Sequence, residues 1–261
     1  MNLHSQLNYI AEKGDYKFPL FKFMKNEHAD KLINEGEIYL SNLSSFTKNS
    51  FGGKIDDSTE GKITIENFYN HYIGRVKDTE GLIPMLNQPY SLVELNRAEL
   101  SSTFENPDSL VFCTTSFLFS DSLSWAIKEN KETCVMILDS TLFYNEIENA
   151  LGTQYHGIPP TSCEYNKNIN GILREINPDK HSHTNKYLSN QHYISFTKPK
   201  NYEEQREVRT VFFKKDNITR ASEGELLPIS LNINTANIYI KIEFQNADKR
   251  ILLNKKAGQI Q

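Results

Sequence analysis

Residues 202–215 read Tyr-Glu-Glu-Gln-Arg-Glu-Val-Arg-Thr-Val-Phe-Phe-Lys-Lys, and we expect the rest of the chain to be organised around them. The first eight of these residues carry three carboxylates and two guanidinium groups. Residues 208–213 have the β-branched and aromatic composition of a strand. Like charges repel and buried carboxylates must be paired, so this cluster is costly in front of a strand. Gln205 and Glu207 would lie on one face of the strand, and we interpret them as a catalytic pair at a cleft.

Two interpretations of Gln205 and Glu207 follow from their chemistry. A Glu at the mouth of a cleft can stabilise the cationic, oxocarbenium-like transition state of glycosidic bond cleavage, and a Gln beside it can orient the acceptor. In the other interpretation, the alternating charges form a solvated strand edge that resists pairing with another chain. Spacing alone favours the strand edge, because short motifs often match by chance.

Composition limits the class of protein. The 261 residues fit one large domain, and the net charge of −4 argues against binding nucleic acid by bulk electrostatics. The three cysteines, Cys113, Cys134 and Cys163, have no close spacing and predict reduced thiols. The sequence contains neither an apolar signal core nor an apolar run of membrane-spanning length. We therefore expect a soluble cytoplasmic protein with no membrane partner.

Strands interrupted by helices predict an α+β fold. Residues 19–24 form a strand candidate, Asn26 is a plausible N-cap, and Gly36 is a suitable residue to end the helix before a strand at 37–41. Further strands are expected at 110–117, 133–138, 192–198, 207–213, 226–231 and 238–244. Asp139 is expected to cap a second helix. Residues 62–100 are interpreted as a helical insertion, with a capping box at Ser91 and Glu94, and residues 246–261 as a polar, basic tail.

Three short patches resemble the ADP-ribosyltransferases, in the order that the family has them. The Gln-x-Glu before a strand resembles the catalytic motif of that family. The strand–helix–strand unit at residues 20–41 resembles its beginning, and residues 112–116 (Phe-Cys-Thr-Thr-Ser) resemble its Ser-Thr-Ser strand. The sequence also resembles a broad bacterial family that opens with Tyr-Lys-Tyr and ends with Glu-x-Glu-x-Arg, whose central Phe-Ser strand and Met-Trp helix loosely match residues 116–125.

The resemblance implies a split, mixed β-sheet core and NAD as the substrate, with no metal. It assigns Glu207 to stabilising the oxocarbenium ion as nicotinamide leaves, and Gln205 to positioning the acceptor. The NAD-binding residues that it implies are Lys22, Phe23, Tyr39, Ser41, Thr114, Thr115, Ser116, Trp125 and Arg209. Either Tyr39 or Trp125 would contact nicotinamide. Tyr39 matches the nicotinamide-stacking tyrosine of the family's His-Tyr-Glu branch, whereas residues 114–116 match its Arg-Ser-Glu branch, so both branches remain open.

Several of these residues also have ordinary explanations. Thr is a common strand residue, and a lone Trp is usually part of the core. Arg209 could hold Glu207 rather than a cofactor phosphate. At Lys22 the sequence departs from the family, which has Arg or His there, and Lys grips a phosphate only as a point charge. His181 and His183 match no zinc-site spacing and predict a solvated loop.

The resemblance also suggests a biological role. A lone bacterial enzyme of this type is often a toxin or an antiphage effector, and a toxin would need an antitoxin partner. The acceptor would be a protein or a nucleic acid. A local basic rim could guide a polynucleotide; its residues would be Lys198, Lys200, Arg206, Arg209, Lys214 and Lys215. The alternatives are an inactive binding module of the same fold and an NAD glycohydrolase.

Overall fold

The structure is a computed structural model. It describes residues 19–47, 61–77, 90–105, 109–116, 126, 129–166, 172–176, 191–215, 226–232, 239–244 and 251–254. Within these ranges the chain is mixed α+β, with mostly β-sheet and few helices, so the predicted class is confirmed. The prediction that residues 1–261 form one domain stays a prediction.

The described strands and helices follow one another in this order. They are β1 (Leu20–Met24), α1 (Asn26–Glu35), β2 (Glu37–Asn42), β3 (Lys62–Lys77), β4 (Tyr90–Glu105), β5 (Ser109–Thr115), β6 (Thr133–Ile137), α2 (Ser140–Leu151), β7 (Tyr155–Ser162), β8 (Glu164–Asn166), β9 (Ile172–Ile176), β10 (Thr197–Pro199), β11 (Glu207–Lys214), β12 (Leu227–Ser230), β13 (Tyr239–Phe244) and β14 (Ile251–Asn254). Short 3₁₀ helices lie at Leu43–Thr47, Gly152–Gln154, Gln191–Phe196 and Lys200–Gln205.

The first strand–helix–strand unit forms as the sequence predicts. Gly36 ends α1 with a φ of 68°, a conformation that Gly adopts without steric cost. The predicted N-cap is wrong by one residue, because Asn26 is already helical and Lys25 precedes it without a side-chain cap. Instead, the backbone N–H of Asn26 donates to a carboxylate oxygen of Glu132, at 2.9 Å. A residue far along the chain therefore caps this helix.

The largest sheet in the described ranges has nine strands, and β5 lies at its branching point. One edge of β5 pairs with β11 along its whole length. The other edge pairs with β2 near its start, where Ser41 is opposite Val111, and with β1 at its end, where Phe21 is opposite Thr115. Between these two registers β1 and β2 diverge. A gap therefore opens in the sheet beside residues 112–114 of β5.

The main hydrophobic core covers this sheet and buries both helices. Ala29 and Leu32 of α1 and Phe143 and Ile147 of α2 are almost fully buried in it. The ring of Phe143 packs on that of Phe112 in β5, with their centroids 5.1 Å apart. Asp139 caps α2 as predicted, since its Oδ1 accepts the N–H of Leu142 at 2.8 Å. These contacts pack β5, which borders the gap, against the main core.

The predicted helical insertion at residues 62–100 is wrong, because the described parts of this segment are strands. β3 and β4 pair antiparallel from Lys62 opposite Glu105 to Lys77 opposite Tyr90, and β9 adds a parallel third strand to β3. Burial along β3 alternates, with Ile63, Ile65 and Asn67 inside. That period of two is typical of a strand with one buried face, and its apolar residues pack with the β9 strand and the 3₁₀ helix Gln191–Phe196.

The structure also differs from two other predictions made from the sequence. The strand expected at residues 192–198 is mainly the 3₁₀ helix Gln191–Phe196, with only Thr197–Pro199 extended. The predicted basic tail contains a strand, β14, which pairs with β13 at the edge of the large sheet. β14 reads Ile-Leu-Leu-Asn, so three of its four residues are apolar and a short strand is compatible with its composition.

Candidate active site

The gap between β1 and β2 opens into a cleft with a volume of about 210 Å³. The cleft contains nine of the eleven residues predicted from sequence as site residues. These are Lys22, Phe23, Tyr39, Ser41, Thr114, Thr115, Gln205, Glu207 and Arg209. They come from four strands and one 3₁₀ helix, so residues separated by nearly two hundred positions share one cavity.

The other two predicted residues are not brought into the cleft. Ser116 follows β5, is half-buried and donates its backbone N–H to the carbonyl of Arg206 at 3.4 Å. It does not line the cavity. Trp125 lies outside the described residues.

Glu207 sits between two buried cations. Arg209 Nε donates to Glu207 Oε1 at 2.5 Å, and Lys198 Nζ donates to Glu207 Oε2 at 2.7 Å. The relative exposure is 6% for Glu207, 5% for Lys198 and 1% for Arg209. Of the two roles that the sequence leaves open for Arg209, the structure shows the pairing with Glu207, and a second guanidinium nitrogen donates to the carbonyl of Ser195 at 2.5 Å. The expected basic rim therefore loses Lys198 and Arg209, whose charges face the carboxylate instead of solvent.

The charge state of Glu207 follows from this arrangement. Burial alone would raise the pKa of the Glu207 carboxyl, but Arg209 and Lys198 outweigh it and hold that pKa well below its usual range. The carboxylate is therefore ionised at neutral pH. An ionised carboxylate can stabilise a developing positive charge or accept a hydrogen bond, but it cannot act as a general acid.

The side chains of Gln205 and Glu207 both accept a hydrogen bond from Lys198 Nζ. The two residues do not lie on one strand, although the sequence predicts that they do. Gln205 ends the 3₁₀ helix Lys200–Gln205, Arg206 has a φ of 47°, and Glu207 begins β11. Lys198 Nζ donates to Gln205 Oε1 at 2.9 Å as well as to Glu207. The left-handed residue thus turns the chain so that the two side chains share a cation. That conformation costs a non-glycine residue about 1–2 kcal/mol, and strain of this kind is concentrated at functional sites.

The backbone around Glu207 is fixed by neighbouring strands. The hydroxyls of Thr114 and Thr115 donate to the carbonyls of Val208 and Arg206, at 2.9 and 3.0 Å, one on each side of Glu207. Both threonines therefore use their protons to position the carboxylate. A ligand in the cleft would meet them as acceptors only.

Tyr165 and Cys163 form hydrogen bonds with the backbone of Glu207. Its N–H donates to the Tyr165 hydroxyl at 2.7 Å, and its carbonyl accepts the N–H of Cys163 at 2.9 Å. Burial raises the pKa of Tyr165 above its usual range, so the hydroxyl keeps its proton. Cys163 itself is buried, and like Cys113 and Cys134 it forms no disulfide.

Lys22 fills the gap in the sheet. Its ammonium group donates to the carbonyl of Cys113 in β5 at 2.6 Å and lies 4.7 Å from the centroid of the Phe112 ring. Burial lowers the pKa of Lys22, while Cys113 and Glu207 act in the opposite direction. Lys22 thus gives the Cys113 carbonyl the hydrogen bond that the backbone of a neighbouring strand would otherwise supply. Its other ammonium protons can point into the cleft.

Tyr39 lines the cleft, and its hydroxyl is hydrogen-bonded to side chains of Lys31 and Glu37. The hydroxyl donates to Glu37 and accepts from Lys31 at 3.0 Å, and the ring meets the edge of His28 at 5.7 Å between centroids. Lys31 Nζ also lies 5.5 Å from the centroid of the Tyr39 ring. These contacts fix the orientation of the aromatic ring that the cleft presents.

Three residues that matter here were not predicted as site residues. Lys198 was expected only on an exposed rim, and neither Tyr165 nor Lys131, which also lines the cleft, was singled out. A Lys shortly before a cluster of carboxylates is a weak sign of an ion pair, since such pairs are equally common on surfaces. No pattern in the sequence marks Lys131 or Tyr165.

The ion pairs of Glu207 predict how stability depends on pH. Because the pKa of Glu207 is lower in the folded protein than the ordinary value of 4.5, its stabilisation is complete above about pH 4.5. It is lost progressively as pH falls below that value. Thermal melting across an acidic series should show this loss in the wild type. The Glu207→Gln variant should show a smaller loss over the same range; identical slopes would contradict the assignment.

No family model, curated protein or solved structure matches this chain. Among the described residues, no helix has both the length and the apolar character needed to cross a membrane. In the same part of the chain, no group of three or more His, Cys, Asp or Glu side chains could hold a metal ion.

Proposed function

We propose that this protein is an NAD-dependent ADP-ribosyltransferase with the split, mixed β-sheet of that superfamily. The observation that carries the proposal is the ionised, buried Glu207 that shares the Lys198 ammonium with Gln205 in the cleft between β1 and β2. Glu207 stabilises the oxocarbenium ion as the bond to nicotinamide breaks, and Gln205 positions the acceptor.

The charge of the cleft supports an anionic ligand such as a dinucleotide. Among the described residues that line it, four are cations (Lys22, Lys131, Lys198 and Arg209) and Glu207 is the one carboxylate. The chain as a whole carries a net charge of −4, so this positive charge is concentrated locally. A volume of about 210 Å³ is below the roughly 300–1,000 Å³ of sites that enclose a whole drug-sized ligand. The cleft therefore encloses the nicotinamide ribose, and the adenosine lies outside.

The proposal is tested by incubating the purified protein with labelled NAD, with and without bacterial lysate. We expect nicotinamide release and label on a macromolecule, and subsequent protease or nuclease treatment identifies the acceptor as protein or nucleic acid. Release without labelled acceptor would favour an NAD glycohydrolase instead. Label that remains in NAD with no release of nicotinamide would reject both activities.

One observation favours a second candidate, a binding module that does no chemistry. Both carboxylate oxygens of Glu207 are already engaged by Arg209 and Lys198, as in a structural ion pair. In this case NAD or a related nucleotide binds without turnover. Tight binding of NAD in a calorimeter, with no nicotinamide released, would establish the module and reject the enzyme.

A role as a bacterial toxin or antiphage effector follows from the resemblance of the three sequence patches. An antitoxin would then block the cleft or the acceptor surface, and the protein would act in the cytoplasm. Growth arrest on expression of the wild type, absent with Glu207→Gln, is the corresponding cellular result.

A further inference from the structure

Lys131 is a cation of the cleft that has no part in the proposed mechanism and forms no ion pair with another described residue. It precedes β6, is half-buried and lines the cavity together with Lys22. Its backbone N–H donates to the carbonyl of Ala126 at 2.9 Å, which fixes the base of the side chain. Its ammonium group makes no hydrogen bond or ion pair with any residue that the structure describes.

The electrostatic surroundings of Lys131 are unfavourable for a cation. Burial lowers the pKa of Lys131; repulsion from Lys22 and Lys25 lowers it further, while Glu129 acts in the opposite direction. Glu129 does not line the cleft, and the cleft carboxylate, Glu207, is already paired with Lys198 and Arg209. Two repelling ammonium groups without an anion between them are costly, so a ligand with negative charge relieves the repulsion.

We propose that Lys22 and Lys131 form a binding site for the pyrophosphate group of a nucleotide, with Lys131 as a residue that determines affinity. The inference rests on the proposed function in that NAD supplies the pyrophosphate. Two ammonium groups match its two negative charges, whereas a neutral sugar would leave both of them unpaired. Lys22 comes from β1 and Lys131 from the residues before β6, so each lysine would bind the group as a point charge from a separate part of the chain. Nicotinamide ribose then points inward to Glu207, and the pyrophosphate lies beside Lys22 and Lys131.

The test compares ligands with and without the pyrophosphate. Isothermal titration is carried out with inorganic pyrophosphate, ADP-ribose, NAD and nicotinamide riboside, which lacks phosphate. Lys131→Gln should weaken binding of the first three by roughly 10- to 100-fold, the range for loss of a charge-assisted hydrogen bond. It should leave the affinity for nicotinamide riboside unchanged. Lys131→Arg should restore most of the binding.

Lys25→Gln is the matched control, because Lys25 acts on the same lysine but does not line the cleft. Loss of this exposed charge should change affinity by less than about threefold, and less still in high salt. Melting curves confirm that each variant is folded, and Lys131→Met serves as a second neutral variant. Equal weakening of all four ligands, an effect of Lys25→Gln as large as that of Lys131→Gln, or no binding by the wild type would overturn the site.

The same titrations separate this inference from the proposed function. Pyrophosphate and ADP-ribose binding that depends on Lys131, with no nicotinamide release from NAD, would support the site while rejecting the transferase. Nicotinamide release with an unchanged affinity in Lys131→Gln would reject the site alone.

Discussion

Replacing Glu207 with Gln is expected to slow nicotinamide release from NAD by at least about 100-fold, as for other groups that stabilise charge in a transition state. The substitution preserves size and removes the one carboxylate that the described part of the cleft contains. Initial rates of release by the wild type and the variant are the measurement.

Two further variants make the Glu207 result specific. Glu204→Gln is the same chemical change on an exposed residue of the preceding 3₁₀ helix, and it should retain full activity. Glu207→Gln also leaves Lys198 and Arg209 without their anion, so unfolding must be distinguished from lost chemistry. Glu207→Asp keeps the charge but withdraws the carboxylate by one methylene. We expect this variant to fold normally and to release nicotinamide more slowly than the wild type. A folded Glu207→Gln protein with the wild-type rate would remove Glu207 from the mechanism.

Replacing Arg209 with Met is expected to destabilise the protein by about 3–5 kcal/mol, the range for breaking a buried ion pair by removing one partner. Arg209 is 1% exposed, donates to both Glu207 and the carbonyl of Ser195, and lies on β11 between β5 and β7. The free energy of unfolding from urea titration measures the loss.

Arg206→Met is the control for Arg209, since it removes a guanidinium from an exposed side chain nearby. Its effect should be at most about 1 kcal/mol, because exposed ion pairs contribute little. Combining Arg209→Met with Glu207→Gln should cost less than the sum of the two single changes, since the second change removes the charge that the first leaves unpaired. Strict additivity, or a single-variant loss below about 1 kcal/mol, would mean that the two charges do not depend on each other.

Local patterns were sufficient where a single segment decides its own structure. The strand–helix–strand unit with its helix ending at Gly36, the Asp139 cap and the strand after the charged cluster all formed as predicted. Each depends on contacts within a few residues, or on a run of β-branched and aromatic side chains. The prediction of the α1 cap was wrong because the acceptor, Glu132, is more than a hundred residues away in sequence.

The largest error, the helices predicted within residues 62–100, has the same origin. Intrinsic preference is a weak guide when a strand can pair along its whole length, as β3 does with β4, and β9 adds a shorter pairing along residues 64–68. The capping box at Ser91 and Glu94 therefore had no helix to cap. A motif of two residues cannot compete with a ladder of backbone hydrogen bonds that spans both strands.

For the charged stretch at residues 202–215, the sequence by itself determined the strand, the carboxylate at its start and the need for a partner charge. Only the tertiary structure decided which charges those partners are and where the carboxylate faces. Lys198 arrives from β10 and Arg209 from β11, while the cleft exists because β1 and β2 separate along β5. A sequence records which residues are available, but an ion pair and a gap in a sheet depend on how distant strands are aligned.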